Sequence, residues 1–94
     1  MKKDSIIKTL INHQYPERQA ISVASELMLI DMQLVPMLEK WVCDGSETDV
    51  TIEDFSLMAL KNKYKMTYPA ALLTMDWLIK DPKGAKDCII RGLR

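Results

Sequence analysis

The sequence of 94 residues is poor in several features that mark specialised classes of protein. Its longest apolar runs have only four residues, so neither a membrane-spanning helix nor a secretory leader is expected. The three glycines are isolated from one another, which excludes a glycine-rich phosphate-binding loop. One histidine and two cysteines are too few and too widely spaced for the usual zinc or redox motifs. These absences lead us to expect a cytoplasmic protein.

The few residues that could carry chemistry form no recognisable catalytic or metal-binding pattern. His13 stands at an expected helix end, with no nucleophile or acid at an informative spacing, so we expect no catalytic residues, no cofactor and no enzyme activity. An EF-hand starting at Asp44 would place Asp49 at the loop glycine and Phe55 at the bidentate glutamate, which excludes it. Cys43 and Cys88 are expected to be buried free thiols.

The composition is that of a small folded protein. Hydrophobic residues make up 48% of the chain and charged residues 28%, which argues against disorder, and the length suits a single domain over residues 1–94. Apolar residues recur mainly at helical spacing. We therefore predict an all-α fold, a single compact bundle of five or six short helices.

The first half of the chain predicts three helices. The first covers about residues 5–13 and stops before Pro16, which suits the first turn of the second helix. Residues 27–38 are apolar around the whole circumference of a helix, which is typical of a helix buried on all sides. Pro36 lies within this pattern, so we expect a break near residues 31–34 and a third helix over residues 36–43.

The second half predicts three more helices. Thr51 is expected to cap a fourth helix over residues 52–64, although the alternation of Thr48, Val50 and Ile52 would also suit a short strand. Thr67 is expected to cap a fifth helix that runs to Lys80. A final short helix should follow the cap at Asp81, with its apolar side formed by Ala85, Cys88, Ile89 and Leu93.

Charge is distributed unevenly although the net charge is zero. Residues 41–60 carry five acidic and no basic side chains, whereas residues 61–94 carry eight basic and three acidic ones. Opposite poles on one small molecule could pair between copies, so we expect a homo-oligomer, with a dimer as the simplest form.

Residues 51–80 resemble the helix-turn-helix motif found in many repressors. Met66, Thr67 and Pro69 match its apolar residue, hydroxyl cap and proline-containing first turn. Lys61 stands where the motif has a small residue, and Lys65 stands where it has a glycine. The resemblance implies a nucleic-acid-binding regulator as an alternative function. Its contact residues would be Lys61, Lys63, Lys65, Thr67, Tyr68, Thr74 and Lys80.

The leading interpretation is a non-enzymatic protein-protein interaction module. The fifth helix carries few hydrogen-bonding side chains that could read base edges and much apolar surface. Such surface, if exposed, is typical of self-association or of docking a helical partner. The residues expected to make these contacts are Met37, Trp41, Tyr68, Leu73 and Trp77.

Overall fold

The computed structural model describes residues 1–92, which form six helices and one two-stranded hairpin. The elements in chain order are α1 (Lys3–Asn12), α2 (Glu17–Leu27), α3 (Val35–Asp44), β1 (Thr51–Ile52), β2 (Phe55–Ser56), α4 (Leu57–Lys63), α5 (Tyr68–Lys80) and α6 (Pro82–Ile90). The prediction of an all-α bundle of five or six short helices is confirmed. Leu93, which was expected in the last helix, lies outside the described residues.

Helix α5 is the centre of the packing. It contacts α2, α4, α6 and the hairpin, while α1 packs on α2 and α3. Six of its side chains are fully or almost fully buried, and all are apolar or aromatic: Tyr68, Pro69, Ala71, Leu72, Met75 and Leu78. Burial of such side chains stabilises the fold by about 1.5–3 kcal/mol each for the larger ones. The core therefore surrounds most of α5 and leaves the side of Ala70 and Trp77 exposed.

The expected break between the second and third helices is confirmed, but the apolar run beside it does not form a buried helix. Helix α2 ends at Leu27, and α3 begins at Val35. Residues 28–34 form a loop in which Ile30 and Leu34 point into the core. Leu29 and Met32 are 73% and 86% exposed. The prediction of a helix buried on all sides over residues 27–38 is therefore wrong, because the chain forms a loop that buries Ile30 and Leu34 and exposes Leu29 and Met32.

The predicted start of the fourth helix is also wrong. Residues predicted as its first turn form a hairpin, in which Thr51 pairs with Ser56 and Ile52 with Phe55. Glu53 and Asp54 both have positive φ, +52° and +71°, as the two-residue turn of a type I′ hairpin requires. The strand alternation at Val50 and Ile52 had no visible partner in the sequence because the partner begins only three residues after Ile52.

Two side chains from the hairpin region cap α4 in place of Thr51. The Ser56 Oγ accepts a hydrogen bond from the N–H of Ala59, at 3.2 Å. The Asp49 Oδ1 accepts from the N–H of Met58 at 3.0 Å and from the Ser56 hydroxyl at 2.9 Å. These bonds, with that of Met58 the most important, lower the pKa of Asp49. The N-terminal N–H groups of α4 are thus satisfied by the segment that precedes it.

The starts of the last two helices are as predicted. The Thr67 Oγ1 accepts a hydrogen bond from the N–H of Ala70, and α5 runs to Lys80. The Asp81 Oδ1 accepts from the N–H of Gly84 at the start of α6. Proline occupies the first or second position of both helices, where its missing N–H costs no hydrogen bond.

A candidate docking groove between α2 and α5

Two helix ends with the same geometry come together beside α5. Helix α1 ends with Gln14 in the left-handed conformation, with φ +74°. The N–H groups of Gln14 and Tyr15 donate to the carbonyls of Ile11 and Leu10, at 3.0 and 3.1 Å. These two bonds form a Schellman motif, which usually has glycine at the left-handed position. Gln14 therefore holds strain that fixes the direction in which α2 leaves α1.

Helix α4 ends in the same way at Lys65. This residue has φ +53°, and the N–H of Met66 donates to the carbonyl of Lys61, at 2.9 Å. Lys65 stands where the helix-turn-helix motif has a glycine, and it adopts the backbone conformation that glycine favours. The tight turn is therefore made despite the departure from the motif.

A groove lies where these two turns meet. The hydroxyl groups of Tyr15 and Thr67 are joined by a hydrogen bond of 2.6 Å, which ties the α1–α2 turn to the start of α5. The groove, called here the α2–α5 groove, has a volume of about 410 Å³. It is lined by residues 13–16 and by Gln19, Val23, Thr67, Ala70 and Leu73. Its size is that of a ligand or docking pocket.

The outward side of α5 continues from this groove as an apolar stripe. The α5 stripe consists of Ala70, Leu73, Thr74 and Trp77, which lie at the spacing of neighbours on one helix face. Ala70 is exposed, Leu73 and Thr74 are half-buried, and Trp77 is 38% exposed. Leu73 and Trp77 were both predicted as contact residues, and the structure places them on the same exposed face.

Two of the other predicted contact residues lie in the core. Trp41 and Tyr68 are each 2% exposed, with ring centroids 6.0 Å apart. The Tyr68 hydroxyl donates to the carbonyl of Thr48, and burial raises its pKa. Neither ring can contact a partner in this conformation, so both are removed from the candidate surface. Met37 is half-buried against the core.

His13 is exposed and lies at the end of α1, as predicted. Its ring stacks on that of Trp41, with centroids 4.8 Å apart and planes tilted by 30°. His13 therefore covers the edge of the core next to the groove. The wall formed by residues 13–16, Gln19 and Val23 was missed from the sequence, although Gln19 and Val23 share one face of α2.

The exposed loop of residues 28–34 is held against α5 by two polar side chains. Asp76 is 9% exposed, and its Oδ1 accepts a hydrogen bond from the N–H of Asp31, at 2.8 Å. The Nζ of Lys80 lies 2.8 Å from the other oxygen of Asp76 and donates to the carbonyl of Leu29, at 2.7 Å. The backbone of this loop is thereby held next to the C-terminal half of α5, and the side chains of Leu29 and Met32 are exposed.

The two charged poles of the sequence meet within one chain. Lys61 pairs with Glu47, and Lys86 with Glu53, each at 2.7 Å. The hydrogen bond that Lys86 donates to the Glu53 carboxylate raises the pKa of Lys86. These two contacts satisfy within one chain part of the charge that was expected to pair between copies.

Most of the residues predicted for nucleic-acid binding already have partners within the chain. Lys61 and Lys80 are engaged in ion pairs, and Tyr68 is buried. The Nζ of Lys63 lies 5.4 Å from the ring centroid of Tyr64. Thr67 caps α5, and Thr74 donates to the carbonyl of Ala70. Lys65 is exposed and forms no ion pair with any residue of the part described.

The cysteines and the acidic residues form neither a disulfide nor a metal site within residues 1–92. Cys43 is exposed and Cys88 half-buried, so the prediction of two buried thiols is wrong for Cys43, and both are free. Among residues 1–92, no group of three or more His, Cys, Asp or Glu is arranged to hold a metal ion. Within the same residues, no helix is both long and apolar enough to cross a membrane.

Comparisons with known proteins found no family model, no curated protein and no solved structure that matches the chain.

Proposed function

We propose that the protein is a non-enzymatic interaction module that binds a helical protein segment in the α2–α5 groove and along the α5 stripe. The observation that supports this proposal most strongly is the continuous apolar face from Ala70 to Trp77 on a helix that is otherwise core. A helix bound in a groove inserts apolar side chains at the same i, i+3, i+4 and i+7 spacing. The stripe runs over eight residues, a rise of about 10 Å, which matches two turns of such a partner.

The polar groups around the groove favour a peptide over a small polar substrate. The hydroxyl groups of Tyr15 and Thr67 are hydrogen-bonded to each other, and the Thr67 hydroxyl also caps α5. Val23, Ala70 and Leu73 supply the apolar part of the lining. Gln14 and Gln19 at the rim can bond the backbone or polar side chains of a bound segment.

Selection from a library of helical peptides on the immobilised protein tests the proposal. We expect enrichment of peptides with apolar residues at helical spacing, and we expect Ala70→Glu to lower their affinity at least about tenfold by placing a charge in the groove. This variant should not unfold the chain, because Glu three residues after Thr67 completes a capping box. Ile90→Glu, on an exposed position of α6, is the control. Failure to enrich any peptide that distinguishes wild type from Ala70→Glu would refute the proposal.

Nucleic-acid binding is the second candidate function. The observation that favours it is the four-residue turn of residues 64–67, in which Lys65 takes the conformation of the motif glycine. Against it, Ala70 and Leu73 on the outward face of α5 have no hydrogen-bonding side chain. The Thr74 hydroxyl already donates to the carbonyl of Ala70, and Trp77 offers a single N–H donor. Any binding would therefore rest on phosphate contacts from lysines.

Lys65→Gly is the most informative variant for this second candidate. Glycine suits the left-handed position, so the fold should gain about 1 kcal/mol while one positive charge is removed. If the protein binds nucleic acid, Lys65→Gly should weaken its binding to a mixed-sequence DNA duplex and reduce the dependence on salt. If neither wild type nor variant shifts the duplex at low salt, the second candidate fails.

A further inference from the structure

We propose that the segment bound along the α5 stripe is α5 of a second copy of this chain, packed antiparallel across a two-fold axis near Leu73 and Thr74. This inference rests on the proposed function and names its partner. A two-fold interface must be self-complementary, since each residue i that contacts j is repeated as j contacting i. The α5 stripe meets this requirement in size and in charge.

Size complementarity comes from Ala70 and Trp77. An antiparallel pairing centred between Leu73 and Thr74 sets Trp77 of each copy opposite Ala70 of the other. Ala70 is small and lines the α2–α5 groove, whereas Trp77 is the largest exposed side chain on the stripe. Each indole would enter the other copy's groove, and both grooves would be filled by the same contact. A parallel pairing would instead place Trp77 against Trp77 and leave both grooves empty.

Charge complementarity comes from the two ends of the stripe. Lys65 lies just before α5, and Asp81 lies just after it. Neither forms an ion pair with another residue of the described chain, while Lys80 is already paired with Asp76. The antiparallel arrangement brings Lys65 of one copy towards Asp81 of the other at both ends. A parallel arrangement would bring Lys65 against Lys65, which costs energy.

The exposed loop of residues 28–34 extends the same face. Asp76 and Lys80 hold this loop beside the Trp77 end of α5. The antiparallel arrangement therefore places Leu29 and Met32 towards the other copy's α1–α2 turn at residues 13–16. Two exposed apolar side chains would be covered in each copy by the surface that rims the groove.

Sedimentation equilibrium from micromolar to near-millimolar concentration tests the inference. We expect the mass to rise from 10.8 kDa towards twice that value. Trp77→Ala removes the inserted ring, and Ala70→Trp fills the groove, so each should raise the dissociation constant at least about tenfold. Lys65→Glu should raise it several-fold by facing Asp81 with a like charge. Ile90→Ala, a truncation of an exposed apolar residue on α6, is the matched control and should change nothing.

Circular dichroism of each variant distinguishes a loss of dimerisation from a loss of folding. The Ala70→Trp variant removes no side chain from the core, because Ala70 is exposed. A wild-type chain that stays monomeric near millimolar concentration would overturn the inference, as would equal weakening by Ile90→Ala and Trp77→Ala. If that monomer still binds helical peptides in an Ala70-dependent manner, the docking function stands and only self-pairing fails. If it binds no peptide either, both proposals fail.

Discussion

The contact between Asp76 and the 28–34 loop predicts a large, local loss of stability on mutation. Asp76→Ala removes the acceptor of the Asp31 N–H and the partner of Lys80 in one step. A hydrogen bond to a charged group contributes about 1.5–3 kcal/mol, and breaking a fully buried ion pair costs about 3–5 kcal/mol. Because the Lys80 side chain is about half exposed, the ion pair itself contributes little, and we expect a total loss of about 2–3 kcal/mol.

Chemical denaturation measures this loss, and the thermal midpoint should fall by about 4–8 °C for each kcal/mol. Asp76→Asn keeps an acceptor for the Asp31 N–H and loses only the charge, so we expect a loss of about 1 kcal/mol. Lys80→Met should lower the stability by about as much, because the carbonyl of Leu29 loses the hydrogen bond that Lys80 donates at the surface. The difference between the stability lost in Asp76→Ala and that lost in Asp76→Asn therefore measures the hydrogen bond separately from the ion pair.

Amide hydrogen exchange supplies the local readout. Asp76→Ala should speed exchange at the Asp31 amide more than at amides in the middle of α5, because the loop is released before the core opens. A loss below about 0.5 kcal/mol, the usual range of surface substitutions, would refute the reasoning. So would a loss as large for Asp76→Asn as for Asp76→Ala.

Two further predictions concern the hairpin that caps α4. Asp54→Gly should raise the free energy of unfolding by about 1 kcal/mol, because glycine adopts the left-handed conformation of Asp54 without strain. Asp54→Ala should give no such gain, and equal effects of the two variants in denaturant titrations would contradict this reasoning. Asp49→Asn should cost about 1 kcal/mol at neutral pH through a weaker cap. Because the folded-state pKa of Asp49 is lowered, its contribution is present above the unfolded value of about 3.9 and lost as pH falls through the folded value. The gap between wild type and Asp49→Asn should therefore close in acid.

Helix positions could be predicted wherever a stop signal acted through neighbouring residues alone. Pro16 and Pro36 restrict the backbone of the residue or turn before them, and the caps at Thr67 and Asp81 bond N–H groups only three residues away. Each of these boundaries was recovered to within about two residues. Local chemistry of this kind does not depend on the rest of the fold.

The start of α4 could not be predicted because its determinants compete locally. Thr51 followed by Asp54 has the form of a helix cap, but Val50 and Ile52 also pack as a strand. The hairpin prevails because Asp49 and Ser56 together satisfy the first N–H groups of α4, and Leu57 donates to the carbonyl of Val50. A sequence pattern shows each option but not the sum of their hydrogen bonds.

The exposed face of α5 was hidden in the sequence for a related reason. A helix that is apolar on almost every side shows no periodicity that separates core from surface. In the fold, Tyr68, Leu72 and Met75 are buried, whereas Ala70 and Trp77 remain exposed, and α2 borders the groove beside Ala70. The direction of α2 is set by Gln14, whose left-handed backbone turns the chain between α1 and α2. The exposure of the apolar residues on α5 thus depends in part on Gln14, a strained residue more than fifty positions earlier in the chain.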